Sequence, residues 1–189
     1  KPKFWDKNQI SLFSILLFPI TLLIKLLNFF KNSFTRKHKC SIPVICVGNI
    51  YIGGTGKTPL SIEIFSILKK INRNPVFIRK KYDSFKDEMI LQKQIGPVYE
   101  SKRRIDALNN AIQNNADTAI LDDGFQHRKV ERNMDVVMIS AKDKLVNYHL
   151  LPWGKLREPL SSLKRAQCVI YTMTKQYQNP PLHNMLNPH

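Results

Sequence analysis

The stretch "PVICVGNIYIGGTGKTPL", residues 43–60, constrains this chain more than any other. A short apolar run ends in a glycine loop, and helix-forming sequence follows from about Lys57. Gly53, Gly54 and Gly56 let backbone N–H groups wrap around phosphate oxygens, and the helix N-terminus adds the positive end of its dipole. In such a loop Lys57 reaches the β- and γ-phosphates, and Thr58 offers its hydroxyl to Mg²⁺. The strict pattern has a glycine five positions before the last one, where this chain has Tyr51. Gly53 and Gly54 are expected to supply the turn instead. The expected nucleotide contacts are therefore Tyr51, Ile52, Gly53, Gly54, Thr55, Gly56, Lys57 and Thr58. The guanine-selecting N/T-K-x-D motif is missing, since "TKQY" (174–177) ends in tyrosine, so ATP is the default nucleotide.

Downstream, short β runs alternate with helical stretches. "PVICVG" (43–48), "PVFIR" (75–79), "DTAILD" (117–122), "MDVVMI" (134–139) and "CVIYT" (168–172) read as strands. Helices are expected from about Lys57 to Ile71 and over 101–115. Alternation of this kind predicts an α/β fold of the P-loop NTPase type, a mainly parallel sheet covered by helices on both faces.

Ahead of this core, "ISLFSILLFPITLLIKLLNFF" (10–30) is the most apolar segment. Leu12, Phe13, Leu16, Leu17, Ile20, Leu23, Ile24 and Leu27 fall on one helical stripe, and further apolar residues widen it. Pro19, Lys25 and Asn28 inside it, with basic residues on both flanks, argue against a span. A helix lying in the membrane surface on anionic headgroups fits better. The alternative is a core helix of a soluble fold. The chain carries 30 Lys+Arg against 14 Asp+Glu, a net charge of +16, which favours an anionic partner. No aromatic–basic interleaving accompanies that charge, so a nucleic-acid partner is not expected. Cys40, Cys46 and Cys168 form no C-x-x-C pair and suit a reducing compartment.

A P-loop enzyme needs an acidic group at the end of a neighbouring strand to hold its metal. "TAILDDGFQHRKV" (118–130) offers Asp122 and Asp123. Adjacent strand residues face opposite ways, so both reach the site only if the chain turns there, as Gly124 permits. Gln126 and His127 follow on the same rim. "LLPWGKLREPL" (150–160) brings Arg157, suited to gripping a phosphate bidentately or to pairing with Glu158. Asp87 and Glu88 are candidates for a general base, and Arg103 or Arg104 for a second anion contact.

Together, "VGNIYIGGTGKTPL" (47–60), "LDDGFQHRKV" (121–130) and "LLPWGKLREPLSSLKRA" (150–166) resemble the tetraacyldisaccharide 4′-kinase (lipid A 4′-kinase) family, from about Phe4 to Thr172. The resemblance implies transfer of the ATP γ-phosphate to the 4′-hydroxyl of an acylated glucosamine disaccharide 1-phosphate. It also implies a monomer on the cytoplasmic face of a Gram-negative inner membrane. By this likeness Lys57 and Asp123 serve catalysis, Thr58 and Asp122 hold Mg²⁺, and Asp87 is the base. Glu88, Arg103, Gln126, His127 and Arg157 match polar residues lining the family's site.

The family's G-D-E-P reads Lys86-Asp87-Glu88-Met89 here, and its L-P-A-G-P-L-R-E has Trp153 and Lys155 as departures. The family continues into a C-terminal lobe bearing a histidine that assists the base. The expected organisation is a membrane-associated helix with basic linker (1–39), a kinase core forming the N-terminal lobe (40–175) and an irregular tail (176–189), with that C-terminal lobe absent. The competing reading is a membrane-associated P-loop ATPase acting as a positioning or regulatory switch. Such partitioning-type loops carry a lysine where this chain has Ile52.

Overall fold

A computed structural model describes residues 12–81, 86–140 and 149–172. The N-terminal lysines, the side chains of Asp87 and Glu88, "TKQY" and the tail lie outside what is described. Helix α1 covers Leu12–Ser33, followed by β1 (Val44–Gly48), α2 (Lys57–Lys70), β2 (Pro75–Lys80) and α3 (Lys86–Ile95). Then come β3 (Val98–Ser101), α4 (Arg104–Gln113), β4 (Thr118–Asp122), β5 (Met134–Ser140), a 3₁₀ turn at Leu160–Arg165 and β6 (Cys168–Thr172).

The six strands form one sheet in the order β3-β2-β4-β1-β5-β6, and every pairing is parallel. The parallel α/β fold expected from the alternation is thus present, with five of its strands where the apolar runs lie. Strand β3 and helix α3 were not legible. "VYES" is short and half-buried, and α3 follows a sequence with no clean apolar period.

Parallel strands are buried on both faces, which is why these runs are apolar throughout rather than alternating. Val44, Cys46, Val76, Ile78, Ala119 and Leu121 pack on one face with Ala107, Leu108 and Ala111 of α4. Val47, Phe77, Ile120 and Met138 point the other way, onto Phe65 of α2. The Phe65 and Phe77 rings stack there with centroids 4.8 Å apart. Helix α2 starts in Lys57-Thr58-Pro59, and proline is tolerated in a first turn whose N–H groups have no helical acceptor.

Helix α1 inverts the usual amphipathic rule. Leu17, Thr21 and Ile24 turn toward the protein, whereas Leu16, Ile20, Leu23 and Leu27 are exposed, Leu16 at 73%. Most of the apolar stripe therefore faces outward, unlike a core helix. Among the described residues no helix is long and apolar enough to cross a membrane.

Candidate active site

Sheet order brings the glycine loop and the acidic pair together. Strand β4 lies beside β1, and Asp122 is in register with Val47 at the strand ends that open onto the loop. Gly56 caps α2 in the left-handed region with φ 81°, and no side chain closes the helix end. No acidic residue occupies the first turn either, so its N–H groups and dipole remain directed at the loop. Buried Asn49 braces the loop from below, donating from Nδ2 to Gly53 O (3.3 Å) and Thr55 Oγ1 (3.4 Å).

Tyr51 does not line this loop. Its side chain is fully buried in the core, and its hydroxyl accepts from the Ser140 N–H. Its backbone bridges to Leu156, and Ile52 N donates to Lys155 O at 3.0 Å. The tyrosine ties the start of the loop to β5 and to the 150–157 segment. Its side chain is thus a core anchor, which leaves only its backbone facing the loop. Ile52 is exposed at the start of the loop.

The two aspartates part company. The turn falls on Asp123, a non-glycine residue at φ 51°, and not on Gly124. Gly124 serves close approach instead, since a Cβ there would sit 2.9 Å from Cys46 Sγ. Asp122 is buried, and its Oδ2 accepts from Gln92 Nε2 at 3.0 Å with Arg79 Nη1 at 3.8 Å. Asp123 swings out to the rim. Arg157 Nη1 donates to both its oxygens, at 3.1 and 3.2 Å, and Lys57 Nζ lies 3.7 Å from Oδ1. A strained non-glycine residue held by two cations is the kind of geometry that functional loops retain.

The loop after Asp123 is pinned by Arg132, whose Nη1 donates to the carbonyls of Gly124 (2.9 Å), Phe125 (3.3 Å) and His127 (3.4 Å). Gln126 Nε2 donates to Asn49 O at 2.6 Å, joining this loop to the glycine loop. His127 has its pKa lowered to about 4, first by burial and then by the Arg104 charge, so its imidazole is neutral at pH 7. Its Nδ1 is buried and has no hydrogen-bond partner among the described residues.

Arg103 and Arg104, the two candidates for an anion contact, point in different directions. Arg103 points away, 72% exposed and paired with Asp106 at 3.5 Å. Arg104 is the residue facing inward, its Nη2 donating to Asp122 O (3.4 Å) and Asp123 O (3.0 Å). The register of α4 decides this, because Arg104 shares its buried face with Ala107, Leu108 and Ala111. Arg157 stays clear of its neighbour Glu158, which is held by Arg128 at 3.2 Å and by Arg165. Asp87 and Glu88 fall in the first turn of α3.

Beside Asp123 opens a cavity of about 510 Å³. Ile24 of α1 and Leu150, Leu151 and Leu156 give it an apolar wall. Lys80, Arg104, Arg157, Gln126 and His127 give it a polar, largely cationic one. The apolar wall could not be anticipated from motif reading, because nothing in the sequence places Ile24 of the apolar stripe beside Leu150.

A family model described as tetraacyldisaccharide-1-P 4′-kinase matches residues 13–187. The chain belongs to this kinase family. It is 41% identical over 164 residues to the tetraacyldisaccharide 4′-kinase of Pelagibacter ubique, covering 87% of this chain and 52% of that protein. The corresponding figures for the enzyme of Psychromonas ingrahamii are 33% over 180 residues, 82% and 56%. The chain thus spans about half the length of the curated relatives it matches. A crystal structure of the "apo" form of LpxK from Aquifex aeolicus in complex with ATP superposes with a TM-score of 0.74 at 26% identity, covering 89% of this chain and 62% of that one. Membership of the kinase family and the P-loop fold agree with the site built above.

Proposed function

We propose that this chain carries the nucleotide-binding and catalytic half of a kinase that moves the γ-phosphate of ATP to the 4′-hydroxyl of an acylated glucosamine disaccharide 1-phosphate. The observation that carries the reading is the two-sided cavity next to Asp123, cationic on one wall and apolar on the other. A phosphorylated, acylated sugar presents that same pair of surfaces. Supporting it, the open N-terminus of α2 and the Gly53–Gly56 loop suit the phosphates of ATP, whose complex the Aquifex aeolicus relative contains.

Lys57 and Arg157 meet at Asp123 and bring positive charge to the line between donor and acceptor. Charge placed beforehand where it develops in the transition state is the main source of rate in phosphoryl transfer. Thr58 and Asp122 form an all-oxygen donor set at the ends of adjacent elements, the chemistry Mg²⁺ takes. Among the described residues no set of three or more His, Cys, Asp or Glu side chains converges on a metal. These two residues would therefore hold the ion together with nucleotide phosphates, and bound Mg²⁺ would neutralise phosphate charge.

Asp87 takes the proton of the sugar hydroxyl, whose oxygen forms the new bond to phosphorus as the bond to the ADP oxygen breaks. Glu88, Gln126, His127, Arg157 and Arg104 orient the acceptor, with Arg104 in the place expected for Arg103. The exposed leucines and isoleucines of α1 lie on the membrane holding the acceptor, and the +16 charge favours its anionic cytoplasmic leaflet.

The test is transfer of labelled phosphate from ATP to a tetraacyldisaccharide 1-phosphate by the full-length protein. Lys57→Ala and Asp87→Ala should each lower it by roughly 10²-fold or more. Unchanged transfer in Asp87→Ala removes that residue as base. Lipid-independent ATP turnover at the same rate would favour the ATPase switch.

A further inference from the structure

We infer that Gln92 is a positioning residue that couples nucleotide binding at α2 to helix α3, the helix whose first turn holds Asp87 and Glu88. This rests on the kinase reading only for its consequence, since the coupling itself is a chain of hydrogen bonds. Gln92 is fully buried on α3. Its Nε2 donates to Ser61 Oγ of α2 at 2.9 Å and to Asp122 Oδ2 of β4 at 3.0 Å. Its Oε1 accepts from Arg79 Nη1 of β2 at 3.1 Å. Ser61 Oγ in turn donates to the carbonyl of Thr58 at 2.8 Å.

The chemistry of the partners fixes the orientation of the amide. Arg79 has only donors to offer, so the carboxamide must turn its oxygen to Arg79, which leaves its nitrogen to donate to Asp122 and Ser61. One side chain thereby joins four elements, and each end of the chain is a part of the proposed phosphate and metal site. Apart from Gln92, the described side chains of α3 are mostly exposed, Ile90, Leu91 and Ile95 among them. The helix has little apolar packing with which to hold its angle. Its position relative to Thr58 and Asp122 therefore depends strongly on this amide. Asp87 lies five residues before Gln92, about 7.5 Å along the helix axis at the usual rise. A small rotation about Gln92 therefore displaces that turn.

A ligand closing on Thr58 and Asp122 should tighten both ends of the network and, through Gln92, order α3. Amide hydrogen exchange of the full-length protein with and without a magnesium complex of a non-hydrolysable ATP analogue reads this directly. In the wild type, exchange should slow in both α2 and α3. Gln92→Met keeps the shape but none of the hydrogen bonds. Ser61→Ala, kept in reserve should that variant fold poorly, cuts only the α2 end and leaves Asp122 its amide. In each variant the slowing in α2 should persist while that in α3 shrinks by about threefold or more. Each variant is compared with itself, ligand-free against ligand-bound, so general loosening does not imitate the effect. Wild-type slowing of α3 retained in both variants overturns the coupling. Slowing of α2 without α3 in the wild type also overturns it and leaves the nucleotide reading intact. No slowing of α2 in the wild type removes both.

Discussion

The proposed nucleotide side and the proposed acceptor side of this site are built in opposite ways. The first is local: β1, the Gly53–Gly56 loop and the start of α2 come from one continuous stretch, residues 43–60. The second gathers Ile24 from α1, Lys80 from β2, Arg104 from α4, His127 from the loop after β4, and Leu150 and Arg157 from the later segment. A local site survives as long as its own turn chemistry does. A gathered one depends on the packing of the whole domain, and each wall can be altered without touching the others. Asp123 is where the two meet, with Lys57 on one flank and Arg157 on the other.

The largest expected effect lies at that junction. Arg157 grips both oxygens of Asp123 from a single nitrogen. Arg157→Ala should lower kcat by roughly 10²-fold while ATP binding, which belongs to the local side, changes little. Arg157→Lys should recover only part of the loss, because an ammonium on a flexible stem does not reproduce the guanidinium's placement. Steady-state kinetics with ATP and acceptor varied separately decide it. An equal rise in the KM for ATP would break the division between the two sides.

A smaller effect is expected on the apolar wall. Ile24 reaches the cavity from α1, and the Phe18 ring of the same helix meets Trp153 edge-on at 5.4 Å. Ile24→Asp should raise the KM for a lipid acceptor about tenfold, with the KM for ATP unchanged, since it removes apolar contact and puts a carboxylate beside a cationic wall. Comparing that variant on acylated and deacylated acceptors sharpens the assignment. A penalty of equal size on both would show that Ile24 holds the fold of the rim rather than the acyl chains.

The same contrast explains what could be read from the sequence. The parallel sheet, five of its strands and the phosphate loop follow from apolar runs and from a turn motif with a mechanism. Asp122 and Asp123 were legible as a pair facing opposite ways, but the place of the turn was not, because it uses a left-handed aspartate instead of the glycine beside it. The burial of the Tyr51 side chain was not legible for a related reason. Motif position says where a residue stands in the chain, whereas the Tyr51 hydroxyl is held by the Ser140 N–H and its backbone bridges Leu156, both from distant segments. Which of Arg103 and Arg104 faces inward is a question of helix register, decided by which face of α4 the sheet buries. Arg79 carried a usable signal, since an arginine closing an apolar strand must find a partner if buried. Gln92 carried none, being one polar residue among several in a segment with no clear period.

The smallest effect expected is on stability and falls on His127, the part of the acceptor side that contributes no charge at neutral pH. Burial first, and the Arg104 guanidinium second, lower its pKa from 6.5 to about 4, with Lys129 and Arg132 adding to the same repulsion. In the unfolded chain the same histidine protonates near its ordinary value. Between those two pKa values the unfolded state binds a proton that the folded state refuses. Stability from this group is therefore complete above about pH 6.5 and is lost as pH falls toward 4. Because the ring is only partly buried, solvent screens the effect, and a fall in Tm of a few degrees is expected. Carboxylates titrate in the lower part of the same window, so the informative quantity is the difference from His127→Gln, which cannot protonate. That variant should lose less Tm than the wild type between pH 7 and pH 4.5. Arg104→Gln, which removes the strongest repelling charge, should fall between the two. Parallel Tm curves for wild type and His127→Gln would mean that His127 gains its proton in the fold as readily as outside it. The polar wall would then carry one more positive charge at mildly acidic pH than its buried imidazole implies.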